Sequence, residues 1–138
     1  MAEILVVDDD QGVLKATGRI LKSHGYEPVL TPSPEEAIHL LKENPKRFSV
    51  VLLDWKLRSA IDGDMVLRLV KYIFPGFSAP IIFVTDYTGI ASKDLIRLGA
   101  FDTLKKPATA EQLIDVIERS LGKRPPENPH RKAPAELD

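Results

Sequence analysis

Short apolar runs rich in β-branched residues, Ile4–Val7, Val50–Leu53 and Ile81–Val84, alternate along the chain with longer stretches of helical spacing. Runs that stay apolar without alternation suit strands buried on both faces, as in a parallel sheet covered by helices. Glu27–Thr31 and Phe101–Lys105 are weaker strand candidates. Val13, Leu14, Thr17, Ile20 and Leu21 form a first helical stripe, with Gly25 as its stop. Ser33-Pro34-Glu35-Glu36 reads as a capping box with proline at the first helical position. The helix it opens would bury Ala37, Leu40 and Leu41 and end before Pro45. Val66, Leu67, Val70 and Ile73/Phe74 give a third stripe, stopped by Pro75-Gly76, and Ala91, Leu95 and Leu98 a shorter fourth before Gly99. Thr109–Gln112 is a second capping box, leading into Leu113, Ile114, Ile117 and Leu121. Strand–helix repeated five times predicts βαβ units with right-handed crossovers, and five units are too few to close an eight-stranded barrel. The expected fold is α/β, an open doubly wound five-stranded parallel sheet.

The 138 residues suffice for one domain, expected over 1–121. In 122–138 the composition shifts: Pro125, Pro126, Pro129 and Pro134 stand among charged residues with almost no apolar ones. Such a segment buries too little to offset its ordering entropy, and reads as a disordered linker toward an output region or as a frayed tail. The chain has no cysteine, which excludes a disulfide framework, a thiolate zinc site and a Cys nucleophile. A net charge of −1 gives no electrostatic footprint for nucleic acid. No apolar run approaches the roughly 20 residues that span a bilayer, and residues 1–7 lack the basic start of a secretory signal. No nucleic-acid or membrane contact by this domain is expected, and the expected location is cytoplasmic.

In an open α/β sheet, ligands bind beyond the carboxyl ends of the strands. The first apolar run is followed by Asp8-Asp9-Asp10, the third strand by Asp54, the fourth by Thr85-Asp86 and the fifth by Lys105-Lys106-Pro107. Three or four carboxylates, a hydroxyl and an ammonium are therefore expected on one edge. Bare carboxylates about 4 Å apart repel by roughly 4 kcal/mol per pair at an effective dielectric of 20, so the cluster calls for a cation or protonation. An all-oxygen ligand set points to Mg²⁺ or Mn²⁺ with several waters retained. A metal with open coordination grips phosphate oxygens, and the lysine and threonine suit the remaining ones. The pattern reads as a phosphoryl-transfer site with a carboxylate as acceptor.

The segments Ile4–Asp10, Val51–Trp55, Phe83–Thr85 and Leu98–Pro107 resemble the response-regulator receiver domain of two-component signalling, and the resemblance covers residues 3–121. It implies a flavodoxin-like (βα)5 fold with strand order 2-1-3-4-5. Asp54 would be the phosphoacceptor, attacking the phosphorus of a kinase phosphohistidine. Asp9 and Asp54 would bind Mg²⁺ (Mn²⁺ as a substitute) through their side chains, Asp8 through water, with the Lys56 carbonyl as a further ligand. Thr85 would hydrogen-bond the bound phosphoryl group and Lys106 would ion-pair with it. The family's Lys-Pro peptide is commonly cis, which implies Lys106 beside Asp54. The function implied is a timed switch with self-dephosphorylation rather than a metabolic enzyme. Its partners would be a sensor histidine kinase or phosphotransfer protein, and an output domain, partner protein or second copy. These last would dock on the face of the fourth helix, fifth strand and fifth helix, where Ile90, Lys93 and Arg97 lie.

The chain departs from the family pattern at four places. Leu57-Arg58 replace the usual Met-Pro after the acceptor, and Asp62-Gly63 lies one residue further on, as if the loop carried an insertion. Asp86 stands where a small residue is usual; it reads as an exposed loop Asp starting the next helix, or as an acid altering access to the site. Thr103 holds the place of a mobile aromatic and reads as a strand residue, with Tyr87 a substitute aromatic. Trp55 is expected to pack against or cover the site edge. His24 reads as a helix-dipole partner, His39 as a solvated helix residue and His130 as part of the tail. Other classes fit less well. A haloacid-dehalogenase-type phosphatase wants an Asp where Lys56 stands, and no Gly-rich phosphate loop is present. A receiver-shaped module that binds partners without phosphorylation is the alternative.

Overall fold

The computed structural model describes residues 2–55, 57, 62–74, 76–86 and 92–123. Strands and helices alternate as β1 (Glu3–Val7), α1 (Gln11–Ser23), β2 (Glu27–Thr31), α2 (Pro34–Glu43), β3 (Val50–Leu53), α3 (Gly63–Ile73), β4 (Ile81–Thr85), α4 (Ser92–Arg97), β5 (Asp102–Lys105) and α5 (Ala110–Ser120). The strands pair in parallel in the order β2-β1-β3-β4-β5, the order implied by the family resemblance.

The three wholly apolar runs are the three inner strands, and their composition follows from that position. Successive strand residues point to opposite faces, and both faces here are covered. Leu5, Val7, Val51, Leu53, Ile81 and Phe83 pack with Ala37 and Leu41 of α2 and Leu67 and Val70 of α3. Ile4, Val6, Val50, Leu52 and Ile82 pack instead with Leu14 and Leu21 of α1 and Leu113 and Ile117 of α5. The two weaker strand candidates are the sheet edges. β2 keeps Leu30 exposed on the strand that carries Pro28, and β5 begins at Asp102, one residue later than its sequence suggests. An edge strand has fewer apolar positions to fill, so its signal is thinner.

The helix starts are set by side chains that accept orphan backbone N–H groups. Ser33 caps α2 by accepting from Glu36, and Thr109 and Gln112 exchange both bonds of a capping box at α5. Asp10 caps α1, accepting from the N–H groups of Gly12 and Val13 at 2.8 and 3.1 Å. His24 is the C-cap of α1, with its Nδ1 2.9 Å from the Ile20 carbonyl, which fits the helix-end reading. In α4, Leu95 is buried and Leu98 half-buried just after it, while Ala91 lies outside the described residues. Arg119 of α5 reaches Asp115 at 3.0 Å and Asp102 of β5 at 3.1 Å, bracing the last strand against the last helix. Among the described residues no helix is long and apolar enough to cross a membrane. Of the tail, residues 124–138 lie outside the described residues.

Candidate functional site

The sheet register brings the polar residues together. Val7 lies level with Leu53, Leu53 with Phe83, and Thr85 with Lys105. One further rung then follows at each strand end. Asp8 N–H donates to the Thr31 carbonyl at 3.1 Å, Asp54 N–H to that of Val7 at 3.0 Å, and Lys106 N–H to that of Thr85 at 3.0 Å. Parallel pairing thus fixes the backbones of Asp8, Asp54, Thr85 and Lys106 at one edge before any side chain is placed.

The side chains complete a small charged centre. Asp8, Asp54 and Thr85 are buried, at 3, 5 and 8% exposure. Lys106 Nζ donates to Asp8 Oδ2 at 2.6 Å and to Asp54 Oδ2 at 3.1 Å, so one ammonium is shared by two carboxylates. Thr85 adds a side-chain hydrogen bond to Asp54. The Lys106–Pro107 peptide is cis, as the resemblance implies. Burial pushes the Asp54 carboxyl above its ordinary pKa; the bond and charge of Lys106 and the Thr85 bond oppose this without cancelling it. Burial would depress the Lys106 ammonium, but the bonds and charges of Asp8 and Asp54 outweigh it and carry its pKa up.

Carboxylate oxygens of Asp8, Asp9 and Asp54 lie within 4.8 Å of one another. Three acidic oxygens so close, with no nitrogen or sulfur donor among them, fit a hard divalent cation such as Mg²⁺. Among the described residues three carboxylates meet here, and Asp10 is not a fourth. Its side chain is exposed and committed to the α1 cap, which leaves the lower of the two expected counts. Replacing Asp10 with alanine is expected to cost about 1 kcal/mol of stability through the lost cap. Mg²⁺ affinity, followed by titration, should stay within about twofold of the parent, less than RT in free energy.

The Lys56 carbonyl, Arg58, Tyr87 and Ile90 lie outside the described residues. Leu57 turns inward, 3% exposed, and Trp55 is half-buried against the α2–α3 side of the core. Thr103 is half-buried within β5. Asp86 is exposed, as expected, but α4 begins only at Ser92, with 87–91 outside the described residues. Lys93 and Arg97 are exposed on α4, the latter 3.8 Å from Asp94.

Gly63, noted in the sequence only as half of a displaced Asp-Gly pair, contributes to the site by its lack of a side chain. Gly63, the first residue of α3, donates its N–H to the Trp55 carbonyl at 2.7 Å. A methyl group there would sit 2.5 Å from the Asp54 carbonyl oxygen, 2.8 Å from Trp55 Cα and 2.9 Å from the Phe83 ring. Only glycine lets α3 start this close to the backbone that carries Asp54. An Asp-Gly pair opening a helical stripe was the available signal.

The comparisons with known proteins agree with this geometry. The family model described as "Response regulator receiver domain" matches residues 4–118. A putative response regulator NtrX-like protein of Rickettsia bellii is 29% identical over 122 residues, covering 87% of this chain and 25% of that protein. Response regulator protein FleR of Pseudomonas aeruginosa is 32% identical over 126 residues, covering 90% of this chain and 26% of its own length. The chain thus spans about a quarter of the length of these curated relatives. A crystal structure of a response regulator receiver domain protein from Clostridium thermocellum superposes with a TM-score of 0.80 at 29% identity, covering 89% of this chain and 96% of that one.

Proposed function

The chain belongs to the response regulator receiver domain family, and from that premise we propose that it is a phosphoryl-accepting signalling switch with Asp54 as the acceptor. The observation that carries the reading is the buried Asp54 carboxylate at the end of a central strand, bonded to Lys106 and Thr85 and clustered with Asp8 and Asp9. An Asp54 carboxylate oxygen attacks the phosphorus of a phosphohistidine on a sensor kinase or phosphotransfer protein. A P–O bond forms, the P–N bond breaks, and the histidine nitrogen keeps the electron pair. Mg²⁺ would be held by Asp9 and Asp54 directly, by Asp8 through water and by the Lys56 carbonyl, and would supply positive charge against the phosphoryl oxygens.

The rest belongs to the chain's own side chains. Phosphorylation places roughly 1.5 to 2 negative charges beyond Asp54, and Lys106 and the Thr85 hydroxyl gain partners there that the unmodified protein lacks. Lys106 must then loosen from the two carboxylates it now bridges, which gives the switch two states. Hydrolysis by water returns the carboxylate. Residues 1–121 would be the switch and 122–138 the linker to an output region, in keeping with the longer relatives. The α4–β5–α5 face, with Lys93 and Arg97 exposed, is proposed to dock a partner or a second copy. The switch would work in the cytoplasm, where a kinase phosphohistidine and Mg²⁺ are both at hand.

Incubation with acetyl phosphate and Mg²⁺, read by intact mass, should give one phosphoryl adduct that maps to Asp54 and fails to form when the metal is chelated beforehand. No adduct under these conditions would overturn the reading in favour of an interaction module that works unphosphorylated. The raised Asp54 pKa adds a pH signature. Metal binding needs the ionised carboxylate, and the proton persists to higher pH than on an ordinary aspartate. Mg²⁺ affinity is expected to rise with pH through a range above the usual carboxylate value, with proton release on binding at the acid end. Isothermal titration in buffers of different ionisation heat measures both.

A further inference from the structure

Between α1 and the β5–α5 connection lies a cavity of about 220 Å³ that opens to solvent beside Ala16, an exposed residue of α1. Its lining includes Val13, Ala16 and Thr17 of α1, Ala108 and Leu113 toward α5, and, at the buried strand ends that make its inner end, Asp8 and Asp54 with Lys106. The gap is left because small or β-branched residues, Val13, Ala16, Thr17 and Ala108, stand where larger ones would fill it, and most of the lining is apolar. At the inner end the Lys106 ammonium bridges Asp8 and Asp54, one positive charge against two carboxylates, and a second cation there would share oxygens that Lys106 already bonds. An apolar cavity of about 150 Å³ is enough for a benzene ring. This one has room for a ring with a short arm, and its charged end suits a cation at the tip of that arm.

We propose that this cavity binds a small amphipathic ammonium compound, an aromatic ring or compact alkyl group on a short arm ending in an amine, whose head lies against Asp8 and Asp54. Removal of water by the apolar walls strengthens the ion pair at the inner end. The head takes positions that a divalent cation needs, so amine and Mg²⁺ exclude one another and the bound amine holds the switch unphosphorylated. This consequence, though not the binding itself, rests on the reading of Asp54 given above.

The probe is 2-phenylethylamine added to the full chain without phosphodonor, followed through the backbone amide resonances of Thr17, Ala108 and Leu113. Saturable shifts are expected. Methylammonium, the head alone, and ethylbenzene, the ring without the head, should each bind at least about tenfold more weakly, the factor worth 1.4 kcal/mol. Ala16→Phe, which covers the mouth from an exposed helix position, and Ala108→Leu, which narrows the far wall, should each weaken the amine about tenfold or more while Mg²⁺ affinity is kept. Saturating Mg²⁺ should weaken it similarly. Binding that is untouched by both cavity variants, or matched by methylammonium alone, overturns the proposal. So do the same resonance changes produced by raising protein concentration without amine, which would assign the groove to a second copy. Acetyl phosphate labelling of the amine-free protein is measured alongside. Labelling without amine binding removes the ligand site and leaves the switch; amine binding without labelling does the reverse.

Discussion

Replacing Lys106 with alanine is expected to leave a protein that still accepts a phosphoryl group from acetyl phosphate but no longer changes its partner affinity when it does. The same substitution should lower the stability of the metal-free protein at neutral pH by about 3 kcal/mol, near the lower end for breaking a buried ion pair. The reason is the shared ammonium. Lys106 lies 2.6 Å from Asp8 and 3.1 Å from Asp54, and its removal leaves two buried carboxylates facing each other. Mg²⁺ should return most of that loss, because a divalent cation replaces the missing charge where Asp8, Asp9 and Asp54 converge. The expected signature is a larger Mg²⁺-induced rise in melting temperature for the variant than for the parent, measured by thermal unfolding with and without the metal. A variant with the parent's stability and the parent's metal response would remove Lys106 from the centre of the resting site. Unchanged switching in the phosphorylated variant would remove it from the signalling step.

The second large effect is expected from Gly63→Ala. The added methyl group meets the Asp54 carbonyl oxygen at 2.5 Å and Trp55 Cα at 2.8 Å, and both are backbone atoms that cannot rotate aside. The start of α3 must retreat, breaking the 2.7 Å bond from Gly63 N–H to the Trp55 carbonyl and loosening the contact with Phe83. Overpacking of this kind costs about 3 kcal/mol, roughly 10 °C in melting temperature for a domain of this size. The Asp54 carboxylate, the proposed acceptor, moves with its backbone, so the rate of labelling by acetyl phosphate should fall about tenfold or more, since small misplacements at a transfer site are costly. Ser at this position should behave like Ala, because the clash is with the first side-chain atom rather than with its polarity. A Gly63→Ala protein that melts and labels like the parent would show that the loop accommodates the methyl group.

The order of these elements was legible in the sequence because the inner strands are apolar on both faces and the helices carry their own punctuation. Ser33, Thr109 and the two glycines Gly25 and Gly99 mark helix boundaries by local bonds or by positive φ, which need no tertiary context. The edge strands were fainter because solvent on one side removes the demand for apolar residues. The site was legible for a different reason: in a parallel sheet every strand ends at the same edge, so polar residues after the runs must meet. Asp8, Asp9, Asp54, Thr85 and Lys106 do so.

What the sequence obscured was allocation. Asp8, Asp9 and Asp10 are chemically alike, and only the turn into α1 decides that Asp10 caps a helix while Asp8 is buried beneath Lys106. The approach of α3 to the Asp54 backbone was equally hidden, since a steric limit has no side chain to announce it.

The brace formed by Arg119 bears on how a local chemical event would travel. Lys106 sits in the short connection between β5 and α5, and Arg119 fastens the far end of that helix to Asp102 at the beginning of that strand. The two elements are closed into a loop by a covalent link at one end and an ion pair at the other. On the proposed switch reading, a tug on the lysine would be delivered to the tip of a stiff lever, and strand and helix would be expected to swing together instead of bending apart.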